Sequence, residues 1–324
     1  MTHRWLIVSL IAFGGLANVL SNAAWAQSYP SKPVRIVVAS SAGSNPDTVG
    51  RLVANGLAQV FGQQVIVDNR AGAGGNIGAE LAARAPADGY TLFIAHTNHS
   101  INATLYRKLA YDIISDFSPV TLLALSPFVA AVHPSLPART VRDLLNIAKA
   151  RPGDINYASA GIGSGTFFAA EYFSGMGRVK MAHVPYTGGG PALTSVIAGE
   201  TSVFFSPIAT GLPHMRSGKL RALGVSAPRR LAHLPDVPPI AETLPGYELM
   251  AWAGLMVPAR TPREAVVTVH KAAVAVLGKP EISKRLEDLG YLLVTNRPEE
   301  MQAYVNSEIN KYAKIIHQVG MPLQ

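Results

Sequence analysis

The chain has 324 residues, 48% of them apolar, with 28 Lys and Arg against 20 Asp and Glu and no cysteine. Apolar content suffices for a buried core, the length exceeds what one core commonly fills, and disulfides or a lipid anchor on an N-terminal cysteine are excluded. The formal charge of +8 is scattered along the chain, without the Lys/Arg clusters interleaved with aromatics that a nucleic-acid surface needs, so no nucleic-acid partner is expected.

Residues 1–26 read as a signal peptide. Arg4 precedes a mostly apolar run from Trp5 to Leu20, and Ala24-Trp25-Ala26 offers the small-x-small pattern cleaved after Ala26. Gly14, Gly15 and Asn18 interrupt that run, leaving it short of the roughly 20 residues a membrane span requires. The mature protein is expected to be exported to the periplasm.

From Val34 onward, strand-like runs alternate with helical patterns, which predicts an α/β chain with mostly parallel sheets flanked by helices. The expected strands are Val34 to Ala39, Gln64 to Val67, Thr91 to Ala95, Phe128 to Val132, Asn156 to Ala158, Val184-Pro185, Ser202 to Phe205, Leu220 to Ser226, Ala253 to Val257 and Tyr291 to Thr295. Helical stretches between them include Thr48 to Phe61, Gly78 to Ala85, Val141 to Arg151 and Pro191 to Ala198. Thr261-Pro262-Arg263-Glu264 has the letters of a capping box, and Thr140-Val141-Arg142-Asp143 is a weaker version with the shorter Asp. Loop-like crossings at Leu125-Ser126-Pro127 and within Pro235 to Gly246 predict a two-lobed, hinged molecule. Lobe 1 would comprise 27–126 and 251–324, and lobe 2 would comprise 127–250.

The familiar catalytic motifs are missing. Gly161-Ile162-Gly163-Ser164-Gly165 has its serine one place out of register for a nucleophile elbow, and neither it nor Gly72-Ala73-Gly74-Gly75-Asn76-Ile77 completes a dinucleotide fingerprint. His96 and His99 have no third ligand nearby in sequence, so no metal and no cofactor are expected. Glu299-Glu300 reads as the acidic start of a helix.

Instead, apolar runs repeatedly empty into loops of Gly, Ser, Asn and Thr that lead into helices. Such loops leave backbone N–H groups unpaired beside hydroxyl and amide side chains, a setting for an anion. The first supplies Ser41, Ala42, Ser44, Asn45 and Thr48, with Asp47 expected as the helix N-cap. The second supplies His96 and Asn98. The third supplies Ser159, Ala160, Gly163, Ser164 and Thr166, with Tyr186 and Gly188 from a related loop, and the fourth supplies Ser206. A small carboxylate, bound without chemistry, is the expected ligand.

The strings DNRAGAGGNIGAE (68–80), ADGYTL (87–92), NYASAGIGS (156–164), HVPYTGGGPAL (183–193), SGKLRALGVS (217–226) and LPDVPPIAE (234–242) resemble the Bug-type receptors of tripartite tricarboxylate transporters over essentially the whole mature chain. The resemblance implies a periplasmic solute-binding protein of the type II, Venus-flytrap architecture, and a monomer is expected. Its cleft would hold an organic acid through backbone N–H groups and hydroxyls, and the closed form would dock on membrane permease subunits. Ser41-Ala42-Gly43 stands where the family usually has Pro-Gly-Gly, which points to a ligand of different size or polarity, and Ile162 and Phe167 stand where it often has polar residues, which suggests a ligand with an apolar or aromatic portion. An exported enzyme using His96, His99 or Asp47, and a sensor docking on a signalling partner, are the competing expectations.

Overall fold

The computed structural model describes residues 29–318 and 320–324; the expected signal peptide lies outside them. Among the described residues ten strands form a continuous system of two lobes. In lobe 1, β2 (Val65–Asn69), β1 (Val34–Val38) and β3 (Thr91–His96) pair in parallel, and β3 then pairs antiparallel with β9 (Met250–Pro258). In lobe 2, β6 (Ala182–Pro185), β5 (Asn156–Ser159) and β7 (Val203–Pro207) pair in parallel.

One long strand joins the sheets. β4 (Phe117–Val132) pairs with β9 as far as Pro127, and from Phe128 onward with β7 and with β8 (Arg221–Val225). The short β10 (Leu292–Leu293) adds to its lobe 1 half. Only the segment from Phe128 reads as a strand in the sequence, because Pro119, Ser126 and Pro127 look like breakers. Here Pro119 sits beside a register shift and Pro127 at the change of sheet, positions where a missing N–H is tolerated.

Ten helices alternate with these strands among the described residues: α1 (Asn45–Phe61), α2 (Asn76–Ala83), α3 (Thr97–Leu105), α4 (Val141–Ala150), α5 (Gly165–Gly177), α6 (Gly189–Ile197), α7 (Ile208–Arg216), α8 (Arg263–Leu277), α9 (Pro280–Asp288) and α10 (Pro298–Gln318). At α4 both halves of the box form: Asp143 N–H donates to Thr140 Oγ1 at 3.1 Å and Thr140 N–H to Asp143 Oδ2 at 2.9 Å. At α8 the helix starts as predicted but the box does not form. Thr261 Oγ1 is buried without a partner, and the Pro262 carbonyl accepts from Ala265 and Val266 instead. The fixed φ of Pro262 starts this helix without a hydroxyl cap.

Two features tie the lobes. Ser226, fully buried, receives the Phe128 N–H on its hydroxyl at 2.8 Å and donates that hydroxyl to the Leu249 carbonyl, clasping both chain crossings. Helix α10 spans both cores. Met301 and Val305 pack with Phe93 and Trp252 of lobe 1, whereas Tyr312, Ile315 and Ile316 pack with Phe168, Phe205 and Tyr247 of lobe 2. Between these anchors Glu308 is buried, its Oε1 receiving Lys311 Nζ at 2.5 Å, and burial pushes its carboxyl above the ordinary range.

Candidate functional site

Strand ends and helix starts from both lobes enclose a cavity of about 340 Å³. Lobe 1 contributes Ser44, Asn45 and Thr48 at the start of α1, and His96, Thr97 and Asn98 at the start of α3. Lobe 2 contributes Ser164, Gly165 and Thr166 at the start of α5, Gly189 and Gly190 at the start of α6, and Pro207, Ala209 and Thr210 at the start of α7. Each helix start leaves first-turn N–H groups without intrahelical partners and carries about half a positive charge. Among the described residues nothing accepts from the amides of Asn45, Thr97, Thr166 or Gly189. No Lys, Arg, Asp or Glu lines the cavity among the described residues. Phe128, Leu193, Ala251 and Leu289 supply an apolar wall.

The lobe 2 loop is braced from within. Ser164 Oγ donates to the Gly161 carbonyl at 2.6 Å and accepts from Phe167 N–H at 3.2 Å, while Thr166 Oγ1 accepts from Ala160 N–H at 2.9 Å. Ser159 Oγ accepts from Gly161 N–H at 3.0 Å and lies 2.7 Å from His183 Nε2. These hydroxyls shape the turn and occupy the Ala160, Gly161 and Phe167 amides, leaving that of Thr166 for another partner. Gly161 and Gly163 have φ of +99° and +81°, which side chains with a Cβ rarely adopt.

In lobe 1 the expected cap at Asp47 is corrected. Ser44 is the N-cap, and the buried Asp47 carboxylate receives Gly43 N–H at 2.8 Å, Asn69 Nδ2 at 2.8 Å and Arg51 Nε at 3.0 Å. Although burial alone would raise it, these donors hold the carboxyl below its usual range. Asp47 therefore pins the loop. Ser44 Oγ and Asn45 Oδ1 are buried without partners beside the cavity.

The histidine pair is neutral. Burial pushes the His96 imidazole down to about 4, and the wholly buried His99 lies well below its ordinary value for the same reason. His99 Nδ1 sits 3.0 Å from the His96 N–H and carbonyl, and the two rings meet edge to face at 4.3 Å. Asn98 bridges the lobes: its Oδ1 accepts from Gly165 N–H at 3.1 Å and its Nδ2 donates to the Gly74 carbonyl at 3.2 Å.

Of the residues singled out from sequence, Ser44, Asn45, Thr48, His96, Asn98, Ala160, Ser164 and Thr166 come together round this cavity. The others lie nearby. Ser41 faces Gly188 across the cleft, its Oγ 3.0 Å from where a Cβ on that glycine would stand. Ser159 and Tyr186 meet beneath the loop, Tyr186 N–H donating to the Ser159 carbonyl at 3.0 Å. Gly163 lies against Asn102, Ser206 hydrogen-bonds the Pro207 carbonyl at 3.0 Å under α7, and Ala42 is exposed in an adjoining recess. Ile162 is exposed, and Phe167 is packed at 4.7 Å on the His183 ring. Neither lines the cavity, so neither carries its apolar character. Phe128, Ala251 and Leu289 do, and only long-range packing brings them there.

The description matched over residues 49–321 is that of the tripartite tricarboxylate transporter family receptor. Protein BugT of Bordetella pertussis is 29% identical, the match covering 100% of this chain and 99% of that protein. Among solved structures, Rpa4515 of R. palustris with adipate is 33% identical at a TM-score of 0.87, covering 90% of this chain and 98% of that one. MatC from Rhodopseudomonas palustris with bound malate is 31% identical at a TM-score of 0.85, covering 89% and 100%. A two-lobed α/β fold with helix starts converging on one cleft, matched over nearly its full length by these proteins, places the chain in the tripartite tricarboxylate transporter receptor family, among its Bug-type members.

Proposed function

We propose that this protein is a periplasmic receptor that holds a small organic carboxylate between its lobes and delivers it, as a monomer, to the membrane permease subunits of a tripartite tricarboxylate-type transporter. The observation that carries this reading is the cavity itself: helix starts of both lobes converge on a space with no charged side chain. There a carboxylate would accept from free amides at Asn45, Thr97, Thr166 and Gly189 and from the unpartnered Ser44 hydroxyl. Ser41, Ala42, Ser159, Gly163, Tyr186, Gly188 and Ser206 would shape that site from just behind its wall. Adipate and malate in the related structures support the ligand class. Among the described residues no helix is long and apolar enough to cross a membrane.

The same reading takes 27–126 with 251–324 as lobe 1 and 127–250 as lobe 2. It also takes the protein as a binder and not an enzyme, since Asp47 is committed to the loop and burial leaves both imidazoles weak bases. A thermal-shift panel of adipate, malate, glutamate and benzoate tests it, because a ligand of the native state at about 100 times its Kd adds about 2.7 kcal/mol of stability. A rise in melting temperature with at least one is expected. No response to any of them would overturn the ligand class, and turnover of a bound acid followed by NMR would overturn the binder reading.

A further inference from the structure

The charge missing from the cavity stands just outside it. A second recess shares Gly43, Thr48 and Leu289 with the cavity wall and is lined by Arg51 of α1 and Arg285 of α9. On the other side of Leu289 a groove shares Ala209 and Leu289 with the cavity and carries Arg216 of α7. Arginines of both lobes thus flank the Leu289 corner.

Their partners differ. Arg51 is tied to Asp47 at 3.0 Å and to Asn69 at 2.9 Å, and Arg216 lies 3.4 Å from His233 Nδ1. Arg285 is exposed and has neither an ion pair nor a hydrogen bond among the described residues. Of the acids that line these recesses, Asp47 is buried against Arg51 and Asp288 pairs with Lys284 at 3.4 Å; Glu281, one turn before Arg285 on α9, is not paired with it. A guanidinium with no carboxylate bonded to it attracts anions over roughly a Debye length.

We propose that Arg285, assisted by Arg51 and Arg216, is an outer capture site that draws an anionic ligand to the Leu289 corner before it passes into the uncharged cavity. It rests on the carboxylate reading above. Final binding and capture are separated: neutral amides set how long the ligand stays, and the arginines set how often it arrives. Charge outside the closed cavity acts on association, because screened long-range attraction steers encounter while short contacts govern escape.

The test is stopped-flow association, using whichever of adipate, malate, glutamate and benzoate gives the largest thermal shift, at about 20 mM and about 200 mM salt, where the Debye length falls from roughly 20 to 7 Å. R285E should slow association about five-fold at the lower salt and R285Q about two-fold, with dissociation unchanged and the differences shrinking at the higher salt. R142E, a charge reversal on the remote α4, controls for net charge and should leave association near wild type. Equal slowing in R142E and R285E, or an R285E defect confined to dissociation, would overturn the capture site while leaving the cavity reading intact. If no panel member shifts the melting temperature, the cavity reading fails and the capture site with it. The Arg285 side chain is exposed and makes no ion pair or hydrogen bond among the described residues, so a melting temperature matching wild type is expected for both of its variants.

Discussion

Ser226→Ala removes the clasp between the two chain crossings and nothing else. Its hydroxyl receives the Phe128 N–H at 2.8 Å and donates to the Leu249 carbonyl. The serine backbone independently donates to the Phe128 carbonyl at 2.8 Å and receives Leu249 N–H at 3.3 Å. The strands therefore stay adjacent in the variant, with one donor and one acceptor stranded. Ser226 is 0% exposed, so water does not readily replace the hydroxyl, and each stranded group costs about 1 to 3 kcal/mol. Against that, the variant no longer buries a hydroxyl, which returns about 1 to 2 kcal/mol. The net loss is about 2 kcal/mol, read as a lower urea midpoint at unchanged m-value, or about 4 °C in melting temperature for a chain of this size. A loss under about 0.5 kcal/mol would refute the clasp, because it would place the variant within the range of an ordinary surface change.

Gly165→Ala would set a Cβ 2.9 Å from Phe128 Cζ and 3.4 Å from Thr97 Cγ2 at the cavity wall; overpacking of this kind costs about 1 to 3 kcal/mol, and calorimetric titration should show carboxylate affinity reduced by about tenfold or more. Asp47→Asn turns an amide towards Arg51 and Asn69 and discards charge-assisted bonds, so denaturation should show a loss of about 2 kcal/mol, together with weaker binding as the first loop loosens. His96 titrates near 4 when folded and near 6.5 when unfolded. Between those values the unfolded chain takes up a proton that the folded chain refuses, so its contribution to stability is complete above about pH 6.5 and falls by about 2 kcal/mol by pH 5. His99 acts in the same direction, and urea midpoints at pH 7 and 5 should show a slope that His96→Gln reduces. With His96 neutral throughout, affinity for a fully ionised acid should be flat from pH 6 to 8, and a titration series showing a step in that range would contradict it.

Local chemistry was the part of the molecule that could be read from the chain. Thr140 and Asp143 sit within one turn, so their letters determine their bonds. Thr261 and Glu264 have the fuller version of that box, but Pro262 supplies the start and the hydroxyl is left buried. Ser44, Asn45 and Thr166 reach the cavity because a strand end and the following helix start fix their place within a few residues. Phe128, Trp252 and Leu289 reach it through strand pairing and helix packing between distant segments, which no local window contains. The first half of β4 was hidden for a related reason: Pro119 and Pro127 look like breaks until a register shift and a change of partner are known to coincide with them. The apolar ligand contact expected of Ile162 and Phe167 is not made: Ile162 lies between two glycines of positive φ and points to solvent, and Phe167, in the first turn of α5, packs on His183, directions that the letters do not give.

A rod embedded at both ends constrains the motion available to this molecule. Helix α10 has 21 residues, about 31 Å of rigid length, with one end fixed among Met301, Val305 and Trp252 and the other among Tyr312, Ile315 and Phe168. Parting the halves must bend this rod near Glu308 or slide one of its ends across a close-packed surface. Such surfaces hold a small number of interlocking arrangements and resist those in between. Full and empty receptors would then present two discrete outlines, giving a docking partner a yes-or-no signal in place of a graded one.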